Sequence, residues 1–239
     1  MKLYFAFFTL VISSLLPAEI IASACADLSL VLAIDSSGSI DSQEFEIQQQ
    51  GYVAAFLDSG VQAALASAGR VDIAVAFWAD SDFSPQILPW HHIRSRHDAQ
   101  KLSFDISMVN RLSFGDTDIG NGLSAALDLI ELPGRCTVRS MVNLSGDGKA
   151  SVSSHRAARI PLPVARKRAA DLGVTVNALA ITNVEPDLAA YFRDQLITGP
   201  DAFVIEVTGF DTFGAAIIRK LIREISATLI ASLQTDLRY

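Results

Sequence analysis

Nearly uninterrupted apolar segments of strand length alternate along this chain with longer segments that have helical periodicity. A strand that is apolar on both faces is typical of a parallel sheet, because helices cover each side of such a sheet. Strict alternation of the two kinds of segment favours a doubly wound α/β fold. The apolar runs cover residues 28–34, 71–78, 138–144, 174–181 and 202–207.

The segments between these runs predict helices, and the last segment of the chain has the clearest pattern. There, apolar residues recur at spacings of three and four between Phe210 and Leu229, as on the buried face of a helix. Half of the 239 residues are hydrophobic, and no repeat or Pro, Ser or Gly tract marks a boundary, so we expect one domain over residues 27–239. The earlier helices are predicted at residues 42–58, 97–112, 119–132, 163–172 and 186–196.

Residues 1–26 have the layout of a secretory signal peptide, with Lys2, an apolar run over residues 3–16, then Pro17 and small residues. The apolar run is too short to span a bilayer, and Glu19 interrupts its extension. Residues 22–24 and 24–26 both fit the small-x-small pattern of a signal peptidase site, so the sequence allows two cleavage positions. We expect an exported protein, periplasmic or secreted, without a membrane span. Lipidation of Cys25 is an alternative.

The charge balance argues against nucleic acid as a partner. The formal net charge is -7, and no block of Lys and Arg provides the basic stripe that displaces counterions from a phosphate backbone. The basic residues nearest to such a block are spaced as the solvated face of a helix and its preceding loop. These residues are Arg156, Arg159, Arg166, Lys167 and Arg168.

Oxygen-bearing side chains follow the first apolar run in the sequence DSSGS, residues 35–39. Ligands of doubly wound sheets bind beyond the carboxyl ends of the strands, which is where this segment falls. Asp35, Ser37 and Ser39 alternate, so their side chains can point to one side, and carboxylate and hydroxyl oxygens suit hard cations such as Mg²⁺. Two more strand-adjacent loops, GDTDIG with Thr117 and SGDG with Asp147, supply further oxygens.

Ordinary turn and capping chemistry is an alternative explanation for each loop taken alone. Asp35 and its serines can form a cap and turn cluster, Thr117 can cap the next helix, and Asp147 can be a turn residue. The order of the three loops, and their places at strand ends or helix starts, favour a shared metal site.

The three segments together resemble the von Willebrand factor type A (VWA) domain, and the resemblance extends over nearly all the chain after the signal region. The metal-ion-dependent adhesion site (MIDAS) of that family is built from an Asp-x-Ser-x-Ser, a Gly-x-Thr-x-Ile and an Asp-Gly loop. The chain is similar to a group of secreted bacterial VWA-like proteins. The resemblance implies a six-stranded, mostly parallel sheet flanked by helices. It also implies coordination of Mg²⁺, in part through water, by Asp35, Ser37, Ser39, Thr117 and Asp147.

Two features depart from the VWA pattern. Gly146 stands where the superfamily more often has Thr, so a supporting hydrogen bond is in doubt. Asp116 and Asp118 flank Thr117 where neutral residues are commoner, which makes the rim of the site more negative.

The resemblance predicts a binding module rather than an enzyme. If a carboxylate acts only through water, the ion keeps an open position, which a carboxylate of a partner protein suits. A metal-dependent hydrolase is one alternative, with Asp80 and Asp82 as spare acids, but no nucleophile motif or histidine accompanies the three loops. A subunit of a chelatase-like assembly is another, and the export signal argues against it.

Cys25 and Cys136 each lie just before a predicted strand, and those two strands are neighbours in a sheet whose order reverses between them. We predict a disulfide between them if signal cleavage spares Cys25; the alternative is that Cys25 is removed and Cys136 is buried. The histidines lack zinc-site spacing, and we expect them in loops near Trp90. They are His91, His92, His97 and His155.

Overall fold

The structure is a computed structural model that describes residues 25–151 and 159–236, with the backbone alone over residues 227–236. The predicted signal peptide lies outside these ranges except for its last two residues. Within them, six strands form one sheet in the order β3-β2-β1-β4-β5-β6. The strands are β1 Leu28–Asp35, β2 Val71–Trp78, β3 Gln86–Ile93, β4 Ser140–Gly146, β5 Thr175–Ile181 and β6 Val204–Val207.

Every neighbouring pair of strands is parallel except β2 and β3, which are antiparallel. The predicted doubly wound, mostly parallel six-stranded sheet is therefore confirmed. The helices are α1 Ser42–Leu57, α2 Ser59–Ser67, α3 Arg96–Ser107, α4 Ile119–Ile130, α5 Leu162–Asp171, α6 Leu188–Gln195 and α7 Phe213–Asp236.

Helices cover both faces of the sheet, which explains why the central strands are apolar throughout. Leu30 and Leu32 of β1 pack with α1, α2, α3 and α7, whereas Val31 and Ala33 pack on the other face with α4, α5 and α6. All eight residues of β1 are buried. In the part of the chain that the structure describes, no helix has both the length and the apolarity to cross a bilayer.

The antiparallel edge strand β3 corrects the prediction that His91 and His92 lie in loops. His97 lies in α3, so the loop prediction is wrong for this residue too, and His155 lies outside the described residues. Pro89 within this strand removes a backbone hydrogen-bond donor. Exposed and half-buried residues alternate along most of β3, so the segment lacks the continuous apolar run of a buried strand. The rings of His91 and His92 bind Asp105 and Asp72, each at 2.7 Å.

Two helix predictions also differ from the structure. The helix predicted at 42–58 is followed at once by α2, because the side chain of Asp58 accepts hydrogen bonds from the backbone N–H groups of Gly60 and Val61 and starts a new helix. The helix predicted at 97–112 ends at Ser107. Beyond it, Gln86 binds the backbone carbonyl of Asn110 and the N–H of Leu112, which holds that segment outside the helix.

The sheet order places the starts of β1 and β4 side by side, as predicted, and Cys25 and Cys136 form a disulfide there. The bond closes a loop between residues 111 positions apart in sequence. It uses the Sγ atom of Cys25, so the disulfide and a lipid thioether on that residue are mutually exclusive.

Candidate functional site

The loop between β1 and α1 is held at both of its ends. Asp35, the last residue of β1, is fully buried, and its Oδ1 accepts a 2.7 Å hydrogen bond from the backbone N–H of Ser37. Asp41 caps α1, because its side chain accepts from the N–H of Glu44 while the Glu44 carboxylate accepts from the N–H of Asp41. The serines between these two anchors are thereby fixed in position at the carboxyl end of β1.

The loop before α4 packs directly against this serine loop. Gly38 N–H donates to the carbonyl oxygen of Gly115 at 2.7 Å. Gly115 has a positive φ of 90°, and a Cβ atom there would lie 2.6 Å from a carboxylate oxygen of Asp80, so glycine is needed on both counts. The capping residue of α4 is Asp118, whose side chain accepts from the N–H of Asn121. The alternative in which Thr117 caps this helix is therefore wrong.

The third loop follows β4 and contributes Asp147. The preceding Gly146 lies close to the first loop, since a Cβ atom on it would be 3.0 Å from Oδ2 of Asp35. Glycine at this position, where the VWA superfamily more often has Thr, lets the backbone of β4 approach the Asp35 carboxylate.

The five side chains singled out by sequence analysis lie together where the three loops meet. Ser39 Oγ donates to Asp147 Oδ1 at 2.6 Å, although the two residues are 108 positions apart. Thr117 Oγ1 donates to Ser37 Oγ at 3.2 Å, and the Ser37 and Ser39 hydroxyls are 3.3 Å apart. We call Asp35, Ser37, Ser39, Thr117 and Asp147 the candidate centre.

The two carboxylates of the candidate centre are buried with part of their hydrogen-bonding capacity unused. Asp35 Oδ2 and Asp147 Oδ2 have no hydrogen-bond partner within the described residues. Burial, together with repulsion from Asp147, raises the pKa of Asp35 to about 8. Burial also raises the pKa of Asp147. Buried oxygens without hydrogen-bond partners are rare in folded proteins, and a cation beside these two would supply the missing interaction.

Arg111 also lies in this region, and no sequence motif predicted it, because it stands alone in a loop. Its Nη2 donates to the carbonyl oxygens of Ser36 and Ser37 at 2.9 and 2.6 Å, and its Nε donates to Ser36 at 3.1 Å. The guanidinium thus holds the backbone of the serine loop. Its charge also works against the rise in the pKa of Asp35 and Asp147.

The other polar groups considered from sequence lie elsewhere or have structural contacts. Asp80 is buried, and its carboxylate accepts from the backbone N–H groups of Asp82 and Asp116. In residues 25–151 and 159–236, no group of three or more His, Cys, Asp or Glu side chains could hold a metal ion. The candidate centre differs from such a group because three of its five side chains are hydroxyls.

Without a bound cation, we expect the free energy of unfolding to decrease between about pH 4 and pH 8. A carboxyl whose pKa is raised in the folded state favours folding while it is protonated, and that contribution is lost as the pH rises through the folded pKa, here from 3.8 towards about 8 for Asp35. Urea unfolding in the presence of a chelator measures the effect. Asp35→Asn should remove most of the decrease.

Asp201→Asn is the matched control for that charge removal, because Asp201 is exposed and has a φ of 55° that Asn tolerates. This control should keep the pH dependence of the wild type. Equal pH dependence in the wild type and Asp35→Asn would contradict the prediction.

A model of the family described as "Protein of unknown function (DUF1194)" matches residues 24–229. The chain belongs to the DUF1194 family. No curated protein matches its sequence.

Solved structures similar to this DUF1194 chain contain VWA domains. The pilus adhesin SpaC from Lactobacillus rhamnosus GG has a TM-score of 0.60 and 14% identity over 84% of this chain and 31% of SpaC. Proximal thread matrix protein 1 (PTMP1) from the mussel byssus, in a structure with a zinc-occupied MIDAS motif, has a TM-score of 0.57 and 17% identity over 83% of this chain and 47% of PTMP1.

The vWF domain of the type V pili tip protein Mfa5 from Porphyromonas gingivalis gives a third match, with a TM-score of 0.55 and 12% identity over 86% of this chain and 97% of that domain. The DUF1194 chain therefore has the VWA fold, as the sequence motifs predicted. It spans about a third of the length of SpaC and about half of that of PTMP1.

Proposed function

We propose that this DUF1194 chain is a metal-dependent, adhesion-type binding module. The candidate centre holds Mg²⁺, in part through water, and the bound ion supplies an open coordination position for a carboxylate of a partner protein. The observation that carries the proposal is a pair of buried oxygens, Asp35 Oδ2 and Asp147 Oδ2, that have no hydrogen-bond partner among the described residues and lie beside three hydroxyls. The zinc-occupied MIDAS motif of PTMP1, a protein of similar fold, supports a divalent cation in general.

The donor set fits a hard cation because every candidate ligand is an oxygen. Asp35 is oriented by the N–H of Ser37, and Asp147 is oriented by the hydroxyl of Ser39. The two carboxylates balance a charge of 2+, and the hydroxyls of Ser37, Ser39 and Thr117 add no charge. The residues therefore bind the cation without saturating it with negative ligands.

The contacts around the candidate centre support binding rather than hydrolysis. A hydrolase of this kind needs a general base or an activated nucleophile near the metal. Asp80 accepts two backbone hydrogen bonds, and His91 and His92 on β3 bind Asp105 of α3 and Asp72 of β2. Among the described residues, no His–Ser or His–Cys pair adjoins the centre. We propose a non-enzymatic module on this basis.

Export is part of the proposal. The signal-peptide pattern of residues 1–26 and the disulfide at Cys25 agree if cleavage follows Ala24, because an oxidising compartment permits the bond. The periplasm or the extracellular space is the proposed location, and a protein that presents a carboxylate is the proposed partner. A chelatase-like role beside a cytoplasmic ATPase does not agree with a location outside the cytoplasm.

Mg²⁺ binding to the centre should be lost in Asp35→Asn and in Thr117→Val. Each change removes one oxygen ligand with little change in side-chain shape, and loss of a group that merely supports a ligand already weakens metal binding by about 10–100-fold. We therefore expect Mg²⁺ affinity to fall by about 100-fold or more, measured by isothermal titration calorimetry on the purified protein.

The control for Mg²⁺ binding is again Asp201→Asn, which should bind as the wild type does. Asp35→Asn should unfold at a higher temperature than the metal-free wild type at pH 8, since it removes an uncompensated buried charge. Loss of binding in this variant is then not a result of misfolding. Equal Mg²⁺ affinity in the wild type and both ligand variants would overturn the proposed function.

A further inference from the structure

Two exposed phenylalanines form an aromatic ledge beside the candidate centre. Phe83 and Phe114 are 41% and 45% exposed, and their rings meet edge to face with centroids 6.1 Å apart. The guanidinium of Arg111 lies 5.1 Å from the centroid of Phe114. Exposed aromatic clusters of this kind mark interaction surfaces, and Phe, Tyr, Trp and Arg are the residues enriched there. We call Phe83 and Phe114 the aromatic ledge.

The aromatic ledge is connected directly to the loops of the candidate centre. Phe114 precedes Gly115, whose carbonyl oxygen accepts from the N–H of Gly38, between Ser37 and Ser39. The carbonyl of Phe114 accepts from Asp80 N–H, and the N–H of Phe83 donates to the carbonyl of Asp80. The two phenylalanines therefore belong to the same hydrogen-bonded backbone framework that positions the centre.

Arg111 ties the aromatic ledge to the serine loop. Its guanidinium binds the carbonyls of Ser36 and Ser37 on one side and lies over Phe114 on the other. The ledge is therefore fixed relative to the centre. Because its side chains are already ordered, less conformational entropy is lost when a ligand binds.

The charges around the centre restrict the partner further. Asp41, Asp82 and Asp116 lie on the loops that surround the centre and the aromatic ledge. A partner with several carboxylates would meet repulsion from this acidic rim, whereas one carboxylate can be neutralised at the centre. The residues beside that carboxylate then meet an apolar surface.

We infer that the aromatic ledge binds a large apolar side chain of the same partner segment whose carboxylate reaches the candidate centre. This inference rests on the proposed function and specifies its partner: a segment with a single Asp or Glu that has an aromatic or large aliphatic residue within about two positions. Two residues of extended chain span about 7 Å. Phe114 directly precedes Gly115, the residue that accepts a hydrogen bond from the serine loop.

Three capped heptapeptides test the inference on the Mg²⁺-saturated protein by amide chemical-shift titration. The first is Gly-Phe-Gly-Asp-Gly-Phe-Gly, the second has Ser in place of both Phe residues, and the third has Asn in place of Asp. We expect the first peptide to bind about tenfold more tightly than the second, equal to about 1.4 kcal/mol, and the third not to bind.

Phe83→Ala and Phe114→Ala should each remove most of that tenfold difference while leaving calorimetric Mg²⁺ affinity unchanged. Leu57→Ala is the control, because Leu57 is 53% exposed but is the last residue of α1, which starts at the serine loop. Sixteen helical residues place it roughly 22 Å from that start. This control should bind all three peptides as the wild type does.

The outcomes separate this inference from the proposed function. Equal Mg²⁺-dependent affinity for the first two peptides would overturn the inference and leave the proposed function intact. Binding of the first and third peptides with equal affinity would also overturn it, since the ledge would then act apart from the centre. Failure of the wild-type protein to bind Mg²⁺ in calorimetry would overturn both.

Discussion

Glu224→Ala is expected to lower the free energy of unfolding by about 3–5 kcal/mol, because it leaves the buried ammonium group of Lys220 without its partner. Both side chains are completely buried on α7, and Nζ of Lys220 lies 2.6 Å from Oε1 of Glu224. Burial lowers the pKa of Lys220 to about 8, and the neighbouring Glu224 carboxylate works against that fall. Removing Glu224 therefore leaves the core with an ammonium group that has no partner or with an amine that must lose its proton, and both outcomes lower stability.

The same carboxylate joins α7 to two central strands. Asn143 of β4 donates to Oε2 at 2.7 Å, and Asn177 of β5 donates to Oε1 at 3.1 Å. Removing Glu224 thus also leaves two buried amides without an acceptor, which places the expected loss at the upper end of the range of about 3–5 kcal/mol.

The exposed pair Lys167–Asp171 is a matched control, since it has the same spacing of four residues on a helix. Its side chains are 74% and 61% exposed, so Asp171→Ala should change stability by no more than about 0.5 kcal/mol. Urea unfolding at pH 7 measures both variants. A loss below about 1 kcal/mol in Glu224→Ala would show that the buried pair is not a principal contact of α7.

Replacing both Cys25 and Cys136 with Ala should lower stability by about 4–5 kcal/mol. The disulfide closes a loop with a sequence separation of 111, and the loop-entropy model gives about 4.7 kcal/mol for a loop of 100 residues. In a chain of this size the expected fall in unfolding temperature is about 8–20 °C. Differential scanning calorimetry of the exported protein measures it.

Reduced wild-type protein is the control for the disulfide prediction, and it should unfold at nearly the same temperature as the double variant. Intact mass spectrometry of the exported chain checks the bond itself. An exported protein with both thiols free, or a double variant as stable as the oxidised wild type, would contradict the prediction.

The sheet could be predicted from sequence where burial on both faces leaves a continuous apolar run. β2 was predicted at its observed bounds and β1 to within one residue for this reason. β3 was missed because an edge strand with Pro89 and half-exposed side chains has no such run. α2 was missed because a single capping side chain, Asp58, divides one helical pattern into two helices.

The candidate centre could be located from sequence because its five residues lie in three short motifs, two at the ends of strands and one at the start of a helix. Arg111 and the aromatic ledge could not, since their place beside the centre depends on how the loops pack and not on local spacing. Gly146, where VWA domains more often have Thr, is explained by the structure. The backbone at this position lies so close to Asp35 that a side chain would crowd the Asp35 carboxylate.

The disulfide and the candidate centre lie at opposite ends of the same two strands. Cys25 and Cys136 join the starts of β1 and β4, whereas Asp35 and Asp147 stand at their ends. A pulling force applied through a ligand at the centre would enter both strands together and meet a covalent crosslink at the far end. Because both parallel strands would be loaded in the same direction and are covalently joined at their starts, they would not slide past each other, and the register between them would be kept.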